Sequence, residues 1–221
     1  MVLVAARDES ARIAATLRAL ETALPHAELW LADDASRDET ARIARRMGAR
    51  VVQMERHAGK GAAMSAAAAA ALRALGEKDA VFLLCDADLG ASAGELAELA
   101  RAVAAGEADL AIAAFARPRG GGLGLVVGFA RRSLARRTGK RLRAPLSGQR
   151  ALRASSLARL LPFAHGYGME LGMTLDAWRL GMAIAEVELD LEHRATGRTP
   201  AGFAHRARQL VDLARALAAR R

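Results

Sequence analysis

At 221 residues, with 52% hydrophobic and 26% charged residues, the chain is long enough to bury a sizeable core and is composed like a globular protein. No window approaches the roughly 18 consecutive apolar residues that a membrane span needs, and no basic segment with a cleavage site precedes the first apolar run. The single cysteine, Cys85, excludes an intramolecular disulfide and agrees with a reducing compartment. We therefore expect a cytoplasmic protein in which Cys85 is a buried, unreactive thiol.

The formal net charge of +9 is concentrated in the second half of the chain. Residues 1–114 carry 13 basic and 17 acidic side chains, whereas residues 115–221 carry 20 and 7. Arginine supplies 30 of the 33 basic residues, which together with the alanine excess is also what GC-rich codon usage produces. A basic half otherwise indicates an anionic partner, such as a phosphorylated small molecule or an acidic lipid surface. We expect no nucleic acid, because this half has few aromatic residues for base stacking and no recognised nucleic-acid motif.

Strands and helices alternate through residues 1–115. Short apolar runs are followed by segments with apolar residues at helical spacing, the first of which contains Ile13 and Leu17. Ser36 and Glu39 form a predicted capping box for the second helix. This alternation predicts a parallel, nucleotide-binding type of sheet. The predicted strands are 2–5, 28–32, 50–54, 80–85 and 108–115, and the later predicted helices are 37–47, 62–75 and 93–104.

The character of the chain changes at Arg117. Pro118 and the glycines that follow it interrupt any regular pattern, so we place an internal boundary here, between residues 1–115 and residues 116–221. Beyond the boundary, the predicted elements are helices at 125–138, 155–161, 167–180 and 203–219, a loop at 145–149 and a half-exposed strand at 183–191.

Two acidic residues, Asp86 and Asp88, follow the fourth predicted strand. In an open α/β sheet, ligands bind in the crevice beyond the carboxyl ends of the strands. Mg²⁺ and Mn²⁺ prefer carboxylate oxygens together with substrate phosphates, so this spacing favours a cation that bridges the protein to a diphosphate. A solvated turn is the alternative, since such acid pairs also arise by chance.

Two further motifs follow the second and third strands. Asp34 ends the second strand, where a carboxylate can accept hydrogen bonds from a ribose hydroxyl or a base N–H. Alternatively, Asp34 and Ser36 only cap the following helix. Lys60 lies between two glycines, which permit close backbone approach while the ammonium supplies a positive charge for phosphate. The spacing is not that of a P-loop.

In order and spacing, four motifs resemble the nucleotide-sugar domain of family 2 glycosyltransferases with the GT-A fold. They are residues 5–9 (Ala-Ala-Arg-Asp-Glu), 33–38 (Asp-Asp-Ala-Ser-Arg-Asp), 57–61 (His-Ala-Gly-Lys-Gly) and 86–88 (Asp-Ala-Asp). The resemblance implies an α/β protein of the GT-A type, with a Rossmann-like, mostly parallel sheet flanked by helices. It also implies one domain, in which residues 1–115 bind the nucleotide sugar. The smaller half, residues 116–221, would bind the acceptor and include a metal-ligand histidine and a C-terminal helix.

The second half resembles the acceptor half of glucosyl-3-phosphoglycerate synthases. The similarity lies in residues 144–149 (Ala-Pro-Leu-Ser-Gly-Gln), in residues 161–172 and in the His-Arg pair at 193–194. It implies metal-dependent transfer of a sugar, with UDP-glucose as the first choice of donor, to a hydroxyl of an acceptor such as 3-phosphoglycerate. A polyprenyl phosphate or another membrane lipid is the alternative acceptor.

Carried over residue by residue, the resemblance assigns roles to three groups of side chains. The nucleotide-sugar-binding residues are Ala5, Ala6, Glu9, Asp34, Lys60, Asp86 and Ala87. The ligands of a Mg²⁺ or Mn²⁺ ion are Asp86, Asp88 and His193. The residues on the acceptor side are Arg141, Ser147, Gly148, Gln149 and Tyr167.

Asp88 and Glu170 are the predicted catalytic residues. Asp88 would act through the metal ion, which stabilises the leaving diphosphate. Glu170 is either a general base near the acceptor hydroxyl or a helix-start residue favoured by the macrodipole. In the basic loop that follows His193, Arg194 or Arg198 would neutralise charge on the diphosphate.

Three positions depart from the family pattern. Ala5 stands where proline is usual, Asp8 where asparagine is usual, and Ala35 where glycine is usual. These departures bear on base selectivity more than on the fold.

The basic segment 131–143, which contains no acidic residue, admits two interpretations. Lys140, Arg141 and Arg143 fall where the resemblance puts acceptor recognition, and arginine suits a phosphate or carboxylate. Alternatively, the preceding helix is basic and amphipathic, with Leu134 on an apolar side that lies on the inner membrane face. Peripheral membrane contact and a homodimer therefore both stay open.

Two other classes of protein compete with a glycosyltransferase. A nucleotidyltransferase shares the sheet type and the metal, but it normally has a Gly-rich basic signature after the first strand, which residues 5–9 do not supply. A non-catalytic protein that binds nucleotide sugar or nucleic acid is suggested by the basic half alone.

Overall fold

A computed structural model describes residues 1–116, 125–191 and 200–220 of the chain. Within these ranges, strands form one sheet with helices packed on both faces. The strands are β1 (Val2–Ala6), β2 (Leu29–Asp33), β3 (Arg50–Gln53), β4 (Val81–Asp86), β5 (Leu110–Phe115), β6 (Arg150–Arg153) and β7 (Ile184–Leu189). The helices are α1 (Ile13–Ala23), α2 (Thr40–Arg46), α3 (Lys60–Leu75), α4 (Ala97–Ala104), α5 (Leu125–Thr138), α6 (Ala154–Leu160), α7 (Met169–Arg179) and α8 (Pro200–Ala218). Two 3₁₀ helices, Gly90–Leu96 and Gly166–Gly168, precede α4 and α7.

The strand order in the sheet is β3-β2-β1-β4-β6-β5-β7. Neighbouring strands are parallel except at β6, which runs antiparallel to both β4 and β5. The mostly parallel α/β sheet predicted from the sequence is therefore confirmed. Strands from both sides of residue 116 belong to this sheet, and the division of binding roles at that boundary stays a prediction.

Strand β6 was not predicted from the sequence. This strand has four residues and an arginine at each end, so it lacks the apolar run by which the other strands were predicted. Its two central residues pack on opposite faces of the sheet, Ala151 in one core layer and Leu152 in the other. Tertiary burial, rather than local propensity, makes this segment a strand.

Alternate residues of the central strands face two separate layers of the core. Val2 and Val4 of β1 pack in the layer that contains Ile13 and Leu17, which lie on the buried face of the helix that their spacing predicted. Leu3 faces the opposite layer, which includes residues of α3 and α7. A third, smaller cluster joins α5, α7 and α8.

Three helices, α2, α4 and α7, begin later than predicted, and α7 begins at Met169 because a 3₁₀ helix precedes it. The capping box is wrong, because α2 begins at Thr40 and the Ser36 hydroxyl donates instead to the carboxylate of Asp33. Helix α4 begins at Ala97, since the residues before it form a 3₁₀ helix. The predicted boundary segment, residues 117–124, lies outside the described residues.

The carboxyl ends of β1, β2 and β4 lie side by side, because Ala5 pairs with Ala32 of β2 on one side and with Asp86 of β4 on the other. The motifs that follow these strands therefore meet at one edge of the sheet, where ligands bind in open α/β proteins. None of the described helices is long and apolar enough to cross a membrane.

Candidate active site

A cavity of about 400 Å³ opens at this edge of the sheet. Nine of the predicted site residues line it, namely Ala5, Ala6, Glu9, Asp34, Lys60, Asp86, Ala87, Asp88 and Tyr167. Arg7, Ala32 and Ala63 also line the cavity and were not predicted. Arg7 lies inside the first motif, and Ala63 lies one helical turn after Lys60, so position relative to a motif was the signal that could have found both.

Two loops beside the cavity are joined by hydrogen bonds from backbone amides to side chains. Asp8 N donates to Ser36 Oγ at 3.0 Å, and Glu9 N donates to Thr40 Oγ1 at 2.8 Å. Because the loop after β2 uses its hydroxyls in this way, Ser36 does not cap α2. These bonds fix the backbone that carries Glu9 at the rim of the cavity.

Asp34 anchors the loop that leads into α3. Its buried carboxylate accepts hydrogen bonds from Ala58 N at 2.7 Å and from Gly59 N at 2.9 Å. His57 Nδ1 lies 2.6 Å from Asp34 Oδ2, a contact that the sequence analysis did not foresee. Asp34 therefore does not cap α2, the alternative left open above, but shapes the wall of the cavity just before Lys60.

Lys60, the first residue of α3, is paired with two carboxylates. Its Nζ lies 2.6 Å from Asp86 Oδ1 and 2.8 Å from Glu170 Oε1. Burial by itself lowers the pKa of Lys60, but the charges of Asp86 and Glu170 together raise this pKa well above its ordinary value. The side chain is therefore a permanent cation in the wall of the cavity.

Gly148 lies directly against this ion pair. A Cβ at this position would be 2.5 Å from Lys60 Nζ and 2.6 Å from Asp86 Oδ2, so no larger residue fits without a shift. The next residue, Gln149, donates from Nε2 to Asp86 Oδ2 at 3.1 Å. The backbone of the predicted acceptor segment thus reaches the carboxylate that ends β4.

Arg150 is a fully buried arginine behind this segment. Its guanidinium donates to Ser147 O at 2.8 Å, to Pro145 O at 3.0 Å and to Thr174 Oγ1 at 2.9 Å. Burial lowers the pKa of Arg150 to about 10, although neighbouring acidic charges oppose this, so the guanidinium remains charged at neutral pH. Arg150 was not predicted as a site residue, because two of its partners are backbone carbonyls, which leave no signal in a sequence.

The carboxylates of Asp86 and Asp88 fit a hard divalent cation. Both line the cavity at the end of β4. Burial raises the pKa of the Cys85 thiol, and the charges of Asp86 and Asp88 raise it further while the charge of Lys60 opposes them. Among the described residues, no third His, Cys, Asp or Glu completes a cluster with them, and His193 lies outside those residues. Two protein carboxylates suit a cation that takes further ligands from substrate phosphates.

Of the predicted residues that the structure describes, five do not line the cavity. Three of them, Gly148, Gln149 and Glu170, contact Lys60 or Asp86 and so lie directly behind the cavity wall. Ser147 is buried beside them. Arg141 is exposed in the loop between α5 and β6 and makes no hydrogen bond or ion pair to another described residue.

The inner face of α5 belongs to the protein core. Leu134 is buried with Leu171 of α7 and Leu213 of α8, so it does not lie on an exposed apolar side as the membrane interpretation expected. Arg143 forms an ion pair with Glu188, since its Nη1 lies 2.6 Å from Glu188 Oε2. The arginines that remain exposed on α5 are Arg131, Arg132 and Arg136.

A mostly parallel sheet with two carboxylates and a lysine around a cavity at its carboxyl edge is the arrangement that the resemblance to GT-A glycosyltransferases predicts, and a nucleotidyltransferase would share this sheet type. Residues 1–157 match the sequence model of glycosyl transferase family 2, and the chain therefore belongs to this family of enzymes. The comparison with curated proteins finds no match.

Three solved structures of glucosyl-3-phosphoglycerate synthase from Mycobacterium tuberculosis are similar to this chain. The complex with Mn²⁺, UDP and glucosyl-3-phosphoglycerate has a TM-score of 0.77 and 29% identity, over 98% of this chain and 79% of that one. The complex with Mn²⁺, UDP-glucose and phosphoglyceric acid has a TM-score of 0.78 and 28% identity over the same shares. The complex with Mg²⁺ and UDP has a TM-score of 0.77 and 28% identity, over 98% and 78%.

Proposed function

We propose that this glycosyltransferase moves glucose from UDP-glucose to a hydroxyl of a phosphorylated small molecule such as 3-phosphoglycerate. The observation that carries the proposal is the extent of the similarity to glucosyl-3-phosphoglycerate synthase, which spans 98% of this chain and so includes residues 116–221. Similarity limited to the nucleotide-binding half would have supported the donor alone.

On the donor side, the cavity offers a cation and two carboxylates for a diphosphate with its metal ion. Asp86 and Asp88 would hold Mg²⁺ or Mn²⁺, with His193 proposed as a third ligand. When bound, the cation would neutralise the negative charge that develops on the leaving diphosphate. The nucleoside part of the donor would bind at the rim that carries Glu9 and along the wall shaped by Asp34.

Glu170 acts in this proposal as a positioning residue for Lys60. Its carboxylate is buried, does not line the cavity and is bonded to the Lys60 ammonium. A general base must reach the proton that it abstracts directly or through one water, whereas Glu170 reaches the cavity through Lys60. This geometry supports positioning over the general-base role predicted from the sequence.

The acceptor would approach from the side of the loop between α5 and β6. Tyr167 lines the cavity and is 40% exposed, so its ring is accessible to a ligand. Arg141 is exposed and uncommitted among the described residues, whereas Arg143 is already paired with Glu188. We therefore keep Arg141 as the contact for a phosphate or carboxylate on the acceptor.

A lipid-phosphate acceptor is the second candidate, and the outer face of α5 favours it. Phe129 is 38% exposed there, and the exposed Arg132 and Arg136 follow it at helical spacing. An aromatic ring among basic residues is typical of a helix that lies on an anionic membrane.

The test is a panel of nucleotide sugars with Mn²⁺, scored by release of nucleoside diphosphate in the presence of 3-phosphoglycerate, simple sugars or polyprenyl phosphate. We expect release of UDP from UDP-glucose that depends on 3-phosphoglycerate. Release of UDP that depends on polyprenyl phosphate instead would make the lipid phosphate the acceptor. The Asp88→Ala variant should lose activity by about 100-fold or more, and near-normal transfer by this variant would refute the metal assignment.

A further inference from the structure

The ammonium of Lys60 occupies the space between two carboxylates of the candidate site. One oxygen of Asp86 is 2.6 Å from Nζ, and the other accepts a hydrogen bond from Gln149 Nε2 at 3.1 Å. Glu170 Oε1 lies 2.8 Å from the same Nζ. Asp86, which together with Asp88 suits a metal ion, is thus already neutralised by the Lys60 ammonium.

The surrounding backbone holds the ammonium in this position. Gly148 leaves no space on one side, since even a Cβ there would be 2.5 Å from Nζ. Lys60 is also the first residue of α3, where the helix dipole disfavours a cation. A lysine at this position therefore depends on Asp86 and Glu170 for its stabilisation, which accounts for the short contacts to both.

Together with Asp88, these three groups contribute to the charge that attracts a divalent cation to the site. Two carboxylates and one ammonium leave a net charge of −1 for Asp86, Glu170 and Lys60 together. A divalent ion that shares Asp86 with the ammonium is repelled by it, and this repulsion is weakly screened because the Lys60 side chain is only 28% exposed. A diphosphate supplies further negative charge at the same place and relieves the repulsion.

We propose that Lys60 is a resident counter-ion that keeps the affinity for a divalent cation low until a nucleoside diphosphate binds, so that cation and diphosphate bind cooperatively. This inference rests on the proposed function, because it needs a site that takes both ligands. Cooperativity of this kind is reciprocal, so the diphosphate must also bind more tightly when the cation is present.

The test measures the dissociation constant of Mn²⁺ from the electron paramagnetic resonance signal of free Mn²⁺, with and without UDP. For the wild type, we expect UDP to tighten Mn²⁺ binding by a factor in the range of about 5 to 150. Lys60→Met changes the net charge of the three groups to −2, so Mn²⁺ alone should bind about tenfold more tightly than to the wild type. UDP should then increase the affinity for Mn²⁺ by a smaller factor than it does in the wild type. Lys78→Met removes an exposed lysine just beyond the other end of α3 and should match the wild type.

Glu170→Gln separates this charge effect from general damage to the site. It changes the net charge of the three groups to 0, so Mn²⁺ alone should bind more weakly than to the wild type. Loss of structure would weaken binding in both variants, whereas the inference requires opposite directions. If Lys60→Met fails to fold, as judged by circular dichroism, unchanged or tighter Mn²⁺ binding by Glu170→Gln overturns the inference on its own.

Different results would overturn the proposed function and the role of Lys60. Wild-type protein that binds neither Mn²⁺ nor UDP, alone or together, would overturn the proposed function and the inference with it. Wild-type protein that binds the two cooperatively, while Lys60→Met binds Mn²⁺ no more tightly than the wild type, would overturn only the role of Lys60.

Discussion

Ala35 and Asp8 both adopt a left-handed backbone conformation, with φ of 58° and 55°. Glycine and asparagine are the residues that tolerate this conformation best, and these are the residues usual in the family at the two positions. The departures noted in the sequence thus concern the backbone of the two loops beside the cavity. A residue with a Cβ at position 35 lowers the stability of the folded state locally, and the hydrogen bonds between these loops offset this loss.

Ala35→Gly should stabilise the protein by about 1 kcal/mol, because it removes the left-handed penalty of a residue with a Cβ. Urea unfolding at neutral pH measures the change. Ala15→Gly is the matched control, since Ala15 is exposed within α1 and the same substitution should cost about 1 kcal/mol there. Destabilisation by both variants would contradict the strain at Ala35.

Arg150 marks the limit of residue-level prediction. Ser147, Gly148 and Gln149 were singled out by resemblance, yet the side chain that supports them from behind carries no motif. A buried arginine is expensive unless it is fully hydrogen-bonded, and only the fold brings Pro145 O and Thr174 Oγ1 to it. The residues that end strands were predictable, whereas those that support them from the core were not.

At the scale of elements, the loop between β2 and α2 explains why the capping box failed. Its side chains bond across to the loop after β1, where Ser10 N donates to Asp38 Oδ2 at 3.0 Å. Burial raises the pKa of Asp38, but hydrogen bonds from Thr40 and Ser10 outweigh it and lower this pKa from 3.8 to about 2. Ser36 and Asp38 thus accept hydrogen bonds from the loop after β1, and Asp38 instead of Ser36 accepts from the backbone N–H of Thr40 at the start of α2.

These bonds predict an acid-sensitive contribution to stability. A carboxylate whose pKa is lowered by folding stabilises the folded state above its unfolded pKa, and this stabilisation is lost as the pH falls from about 4 to about 2. Asp38→Asn should therefore lower stability at pH 7 and flatten the fall in the urea midpoint across that window. Glu77→Gln, which alters an exposed carboxylate beyond α3, should keep the wild-type profile. An unchanged profile for Asp38→Asn would contradict the assignment.

The contact between the segment before β6 and the start of α3 predicts a second effect at this scale. Gly148→Ala would place a Cβ within 2.6 Å of both Lys60 Nζ and Asp86 Oδ2, so the ion pair must shift and release of UDP from UDP-glucose should fall by about tenfold or more. Gly128→Ala is the control, because a Cβ at that helical position meets no atom within 4 Å and should leave release unchanged. Equal activity of the two variants would contradict the close approach at Gly148.

At the scale of the whole molecule, the sheet and its carboxyl edge followed from the sequence because β1, β2, β4 and β5 are apolar runs of ordinary length. Once these strands lie parallel, the motifs after β1, β2 and β4 must meet at one edge. The antiparallel β6 did not follow, since a four-residue strand ending in arginines gives no periodic signal. Its burial between β4 and β5 depends on contacts between residues about 40 to 70 positions apart in the chain.

The place of β6 also limits how the proposed acceptor half, residues 116–221, can change in evolution. In the sheet, β5 has only β6 and β7 as neighbours, and both come from later in the chain. If recombination replaced all of residues 116–221, the new segment would have to provide two strands in matching register, or β5 would have no partner. New acceptor preferences are therefore expected to arise by substitutions in the connecting loops, not by exchange of modules.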